Sequence, residues 1–360
     1  VRGDSLSEFY AFAFYPLILW SIARLQRSPS AGRLAALALA YAGLMVTHNI
    51  SALIFTPLAG VALLWAAASA PRARLRVLAA GAAALLLGAA LSAWFWGPAL
   101  FERDAVSLGE MTTGYFDYHG HFLSRNLVQP GLLFDYTIDG RHTPFALGGL
   151  QAGLAAMGLV ALIASWARQR RPRWLDLGLL VVLTYAVWPI TPGSAIAWAR
   201  VPLLPLVQFP WRFLSVAALA TSLVAAAGLS RCPWRGRIAA GLALALAVSA
   251  LALLRPEPMP LSERDVTPER LQLYEQLTGN IGSTVRAEYL PQAANPRPFT
   301  SASLLFGEAH ASPRAAEGSL QSARLLAAGP TWQSWTVDIA SPQAQLVFQT
   351  YAFPGWEATV

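Results

Sequence analysis

One cysteine, Cys232, is all the thiol this sequence carries. An internal disulfide is therefore excluded, and a catalytic thiol finds no support, because Cys232 falls in an Arg-rich connection between apolar segments. Charge is scarce as well. Only 12% of residues are charged against 55% hydrophobic, which excludes an ordinary soluble domain and suits a membrane protein. Lysine is absent, so all 26 cations are arginine. A pI near 10.0 invites a nucleic-acid partner. No nucleic acid is expected, because the excess charge is confined to short connections between apolar spans, where it serves orientation. Internal repeats and low-complexity tracts are missing beyond a general alanine richness. The chain opens at Val1 without an initiator Met and stops at Val360 after an apolar run, so it is expected to be a fragment with no signal peptide to read.

What is present is a sorted distribution of arginine. Arg24, Arg27 and Arg33 flank the first connection, and Arg72, Arg74 and Arg76 the second. Arg168, Arg170, Arg171 and Arg173 fill the third, and Arg231, Arg235 and Arg237 the fourth. These make up thirteen of the 26 cations, and of the 19 acids only Asp176 shares their side. Short Arg-rich loops stay in the cytoplasm, so the asymmetry predicts a multi-pass plasma-membrane protein. All five His and the remaining acids then face outward.

A bilayer core of about 30 Å needs roughly 20 apolar residues per helix, and the apolar segments add up to about eight crossings. Phe9 to Ala23 is the first. Leu34 to Trp65 is too long for one crossing and short for two, and predicts a tight hairpin with its tip at Thr47-His48-Asn49-Ile50-Ser51. Val77 to Trp96 ends in an aromatic belt and leads into a long outer segment, 97–144. Phe145 to Trp166, Trp174 to Ile190, Pro210 to Leu229 and Ile238 to Leu254 complete the set. The expected fold is an all-α polytopic membrane bundle over 1–254. After it, 255–360 reads as an extracytoplasmic mixed α/β domain, β-rich and incomplete at its end. In that domain Thr267-Pro268-Glu269 starts a helix. Trp332 to Ile339 and Gln345 to Phe353 read as strands.

Four constellations could carry chemistry. In Gln208-Phe209-Pro210-Trp211-Arg212-Phe213 a helix begins at the outer face, and a cation there opposes the helix dipole. Arg212 makes sense if an anion sits between it and the free first-turn N–H groups, as phosphates often do. Snorkelling beside Trp211 is the bland alternative, and Arg200 is a second candidate cation. At the hairpin tip, His48 is a functional candidate as an ionisable group at membrane depth. Asn49 beside it could instead be a helix cap. In the outer segment, Asp117-Tyr118-His119-Gly120-His121 would place three ligands on one face of an extended strand, where His119 and His121 with Asp117 could hold a divalent cation. Glu102, Asp104 and Asp117 are also candidates for a general-base carboxylate. In Arg2-Gly3-Asp4-Ser5-Leu6-Ser7-Glu8, Ser5 and Glu8 form a capping box that accounts for both. Asp4 stays open as a catalytic or substrate contact.

Several of these runs together carry a resemblance: VRGDSLSEFYAFAFYPLILW, THNISALIFTPL, YFDYHGHF, QFPWRFL and LQLYEQLTGNIGSTVRAEYLP. They resemble the bacterial membrane proteins labelled "6-pyruvoyl-tetrahydropterin synthase-related". The ending, LVFQTYAFPGWEATV, resembles the outer domain of YfhO-type membrane proteins. The resemblance covers most of the chain and implies no pterin chemistry, since five dispersed His do not make a clustered zinc site. Both groups look like the GT-C class of membrane glycosyltransferases, which take a sugar from a polyprenyl-phosphate carrier at the outer face. The resemblance implies a carboxylate in the first outer loop as base or metal ligand, and cations on the carrier phosphate. That first loop should lie upstream of Val1, so neither Asp4 nor Glu8 inherits its role.

Two functions from different classes follow. One is glycosyl transfer from a polyprenyl-phosphate-linked sugar to a cell-envelope glycan or protein acceptor, with Arg212 and Arg200 at the phosphate and His48 by the cavity. The other is a non-enzymatic role in assembly or export of a lipid-linked glycan. Transport is disfavoured by spans nearly free of charge and repeats.

Overall fold

The computed structural model describes residues 6–124, 126–138, 144–170, 173–230, 234–255, 258, 260–278, 288–294, 312–348 and 350–360. Two compact units share the chain: 1–101 with 112–256, and 102–111 with 257–360.

The first unit is helical. Helices α1 (Leu6–Ala11) and α2 (Phe14–Arg27) follow one another across a break at Phe12 and Ala13. Glu8, Ala11, Tyr15, Ile18, Ile22 and Leu25 are buried, a three-and-four spacing that turns one helical face to the bundle. Next come α3 (Ala31–Thr47), α4 (Asn49–Ala68), α5 (Arg74–Leu91) and α6 (Ala93–Phe101). After the long connection stand α7 (Gly149–Gln169), α8 (Trp174–Val187), the short α9 (Ala195–Arg200), α10 (Leu214–Leu229) and α11 (Arg235–Leu251).

Small residues allow the closest approaches, as expected where dispersion rather than water expulsion drives helix association. A Cβ on Gly88 of α5 would sit 2.6 Å from the Ala38 carbonyl of α3. One on Gly228 of α10 would sit 2.7 Å from the Gly158 Cα of α7. The core lies among α2, α3, α4, α5 and α10, with Trp198 fully buried beside them. The Trp198 indole donates to the Pro189 carbonyl at 2.9 Å and stacks on Tyr118 at 5.1 Å.

Among the described residues five helical segments are long and apolar enough to cross a membrane: Leu6–Arg27, Asn49–Ala68, Pro71–Leu91, Gly149–Gln169 and Pro210–Leu229. Trp174–Ile190 with Pro192–Arg200, bent by 96°, makes a sixth if counted as one span. These are the helices of a multi-pass membrane protein, but the count is below the expected eight. Helix α3 is one reason. Its 17 residues rise about 26 Å, short of a hydrocarbon core of about 30 Å. Helix α11 is also 17 residues long. Chain alternation puts Arg24, Arg27, Arg72, Arg168, Arg173 and Arg235 at one set of helix ends, and Glu8, His48 and Arg212 at the other.

In the second unit, Ser262 and Asp265 cap a short turn before α12 (Pro268–Thr278). Thr267 Oγ1 accepts from the Arg270 N–H, the capping expected of it. Residues 105–107 run beside 290–292, with Ser107 N–H donating to the Leu290 carbonyl at 3.2 Å. Strands β1 (Arg314–Glu317) and β4 (Gln345–Val347) pair antiparallel, as do β2 (Leu320–Gly329) and β3 (Trp332–Ile339). Strand β4 stops at Val347, well before the expected Phe353. Strands β1 and β2 were not foreseen, because their inward and outward residues do not alternate cleanly.

Candidate functional site

The site grows from a strained turn just ahead of α10. Gln208 has φ +65° and ψ −51°, and the Phe209 N–H donates to the Val207 carbonyl at 2.7 Å. Together these describe a γ-turn with positive φ, a rare conformation for a residue with a Cβ. Such strain, of order 1–3 kcal/mol, survives only where surrounding structure enforces it, and it concentrates at binding and catalytic sites. Pro210 follows and opens a 3₁₀ turn, Pro210–Phe213, that feeds α10.

The turn aims two acceptors at one cation. Arg212 Nη1 donates to the Val207 carbonyl at 2.8 Å and to Gln208 Oε1 at 3.1 Å. Its guanidinium also lies over the Phe209 ring at 5.1 Å. Opposite stands Glu8, with Oε2 3.8 Å from Arg212 Nε. That is an ion pair, longer than a charge-assisted hydrogen bond of about 2.8 Å. Glu8 is buried and Arg212 half-buried, with side chains 9% and 14% exposed, so the charges depend on each other.

His48 lies in the one-residue connection between α3 and α4, outside both helices. Its Nδ1 accepts from the Ser51 backbone N–H at 3.1 Å and lies 2.7 Å from Ser51 Oγ. An acceptor Nδ1 carries no proton, so the ring is neutral. Burial, and then the positive Arg212, push its pKa down to about 4. Tyr15 joins from α2, stacked on Phe55 at 4.2 Å, with its hydroxyl 3.3 Å from Ser215 Oγ. Ser215 in turn donates to the Arg212 carbonyl at 2.8 Å.

Several expectations are corrected here. The Arg212 N–H is taken by the Phe209 carbonyl at 2.9 Å, so the first turn of α10 is not the open cradle predicted for an anion. The carboxylate beside Arg212 comes from the chain itself. Glu8 is a buried partner of Arg212, while Ser5, its expected capping-box partner, lies outside the described residues. Its signal was legible: Glu8 stands in line with Ala11, Tyr15 and Ile18 on the buried face, where an acid requires a partner. His48, not Asn49, caps α4; Asn49 is exposed and bonds the Ile50 N–H at 2.8 Å. Arg200 ends α9 exposed, and among the described residues its side chain makes no hydrogen bond or ion pair.

Residues 114–121 form two 3₁₀ turns and not an extended strand, so Asp117, His119 and His121 do not share a face as predicted. Asp117 caps the second turn, accepting from the His119 N–H at 3.1 Å and lying 2.7 Å from His119 Nδ1. These bonds hold its pKa below the ordinary carboxylate value. His121 turns away, its Nε2 2.5 Å from the Tyr115 carbonyl and its ring edge-on to Phe209 at 4.8 Å. Among the described residues no three or more His, Cys, Asp or Glu gather as a metal site. In the second unit Glu102 is exposed, and Asp104, 90% exposed, pairs with Arg103 at 3.5 Å. Asp4 lies outside the described residues. No family model, curated protein or solved structure matches this chain.

Proposed function

We propose that this membrane protein is a GT-C-type glycosyltransferase using a polyprenyl-phosphate-linked sugar, with the Glu8–Arg212 pair at its reaction centre. One observation carries the proposal: a buried carboxylate and a half-buried guanidinium meet 3.8 Å apart, at the helix ends opposite the Arg-rich connections, beside a strained turn and a neutral histidine. Structural ion pairs seldom need a strained backbone to present them. Here Gln208 bends so that its own amide and the Val207 carbonyl hold the guanidinium.

The chemistry asks for a cation that grips the donor phosphate and a carboxylate that takes a proton. Arg212 supplies the first. As the phosphate oxygens engage the guanidinium, Glu8 is released to accept the proton of the acceptor hydroxyl. The hydroxyl oxygen bonds to the sugar's anomeric carbon, the bond from that carbon to the phosphate oxygen breaks, and polyprenyl phosphate departs. A neutral His48 donates from Nε2 to a substrate oxygen without adding charge.

Transfer of radiolabelled sugar from polyprenyl-phosphate donors to lipid extract, by the protein in nanodiscs, tests the proposal. Glu8→Gln should keep donor binding and lower turnover by roughly 10²–10⁴-fold, the usual worth of a general base. Arg212→Lys should weaken donor binding, because a point charge does not replace the planar fork. Donor binding without turnover, in wild type and across several donors, would favour a non-enzymatic role in lipid-linked glycan assembly.

A further inference from the structure

Glu8 and Arg212 lie far apart in the sequence, and at 3.8 Å their contact is too long to be held by a hydrogen bond. Arg212 is fixed locally. The Val207 carbonyl and Gln208 Oε1 hold its guanidinium, and Ser215 Oγ holds its backbone carbonyl at 2.8 Å. The place of Glu8 depends instead on where α1 and α2 stand. Phe12, in the break between those helices, lies 5.9 Å from the Tyr15 ring. That ring is buried and stacked on Phe55 of α4 at 4.2 Å, with the planes 4° apart, so its hydroxyl cannot drift. Ser215 carries one proton and gives it to the Arg212 carbonyl, so at 3.3 Å it is Tyr15 that donates. The bond ties α2 to the first turn of α10, the piece that bears Arg212. The same hydroxyl faces Ser51, whose Oγ lies 2.7 Å from His48 Nδ1. One phenol thus stands between the elements that carry all three site residues. A phenylalanine would fill the ring's place, and a hydrogen bond between membrane helices adds little stability. What a buried polar link does supply is one fixed arrangement among several.

We propose that Tyr15 is a positioning residue, a role that rests on reading the Glu8–Arg212 pair as the reaction centre. Through Ser215 its hydroxyl sets the register of α2 against α10, and so keeps the Glu8 carboxylate within reach of the guanidinium. Without the hydroxyl, Arg212 stays where Val207 and Gln208 hold it, but Glu8 no longer has a fixed distance to it.

A cycle of Glu8→Leu, Arg212→Met and the double substitution, read as melting temperature, measures how far the two charges depend on each other. Run in wild type and in Tyr15→Phe, it tests the proposal. Tyr15→Phe keeps the stacked ring and should melt close to wild type, yet in it the cycle should become additive. Ser215→Ala, which breaks the same bond from α10, should also make it additive, and Ser215→Thr, which keeps a hydroxyl, should stay non-additive. In sugar transfer Tyr15→Phe should lower kcat by roughly 10²-fold at an unchanged donor KM, since a reacting group is misplaced while the phosphate grip remains. A cycle equally non-additive in both backgrounds overturns the proposal, even where sugar transfer is found. Absence of transfer in wild type overturns the enzymatic reading and leaves the cycle to decide for Tyr15.

Discussion

Glu8 and Arg212 each cost free energy on leaving water, and neither is tolerable alone. Removing one partner of a buried pair typically costs about 3–5 kcal/mol, whereas replacing both by apolar groups is often neutral. Glu8→Leu and Arg212→Met should each lower the melting temperature of the detergent-solubilised protein, and the double substitution should recover most of the loss. Additive losses would show that the two charges do not depend on each other. His48 supports a pH prediction. Its folded pKa, about 4, lies below the unfolded value of about 6.5, so the unfolded chain takes the proton first. Its contribution is whole above about pH 6.5 and is lost as pH falls toward 4. His48→Asn keeps a capping acceptor and removes the titration, so its melting temperature should fall less steeply between pH 7 and 4.5. Parallel curves would remove His48 as the titrating group. Of these residues His48 and Arg212 were legible in the sequence, because an ionisable group beside an apolar run always demands an explanation. The Gln208 γ-turn was not, since Gln carries no local preference for positive φ.

Among elements, the α7–α10 crossing is the most constrained. Gly158 and Gly228 face each other there with no space for a Cβ. Gly158→Leu should force the helices apart and destabilise the fold by about 2 kcal/mol or more, as overpacking does. Unchanged melting would mean that the crossing is looser than these distances require. Helix α3 falls short of a full span by its length of 17 residues, whereas other departures from the expected elements lie where the chain turns. Hydropathy reports how apolar a segment is, but not where the chain turns. The break at Phe12–Ala13, the turn at Ser92 that splits Val77–Trp96, and the 96° bend between Ile190 and Pro192 all sit within continuous apolar sequence. Residues 117–121 were expected as an extended strand, yet Asp117 caps a 3₁₀ turn over Tyr118–His121 by accepting the His119 N–H.

For the whole molecule the governing asymmetry is the placement of arginine. Short Arg-rich connections resist translocation, so residues 72 and 170 should face the cytoplasm and residue 119 the exterior. In a Cys232→Ser background, an impermeant maleimide on intact cells should modify a cysteine at 119 and spare cysteines at 72 and 170. The reverse pattern would invert the orientation and move the candidate site to the cytoplasmic face. Composition and spacing alone determined the membrane class, the apolar segments and the sorting of charge. Each rests on the cost of placing a single residue in hydrocarbon, a cost that one residue carries wherever its neighbours fold. Only the tertiary structure decided that Glu8 meets Arg212 and that Tyr15 reaches Ser215 from 200 residues away. Those contacts depend on which helices stand side by side and on how small residues let them approach, and no local pattern encodes that choice.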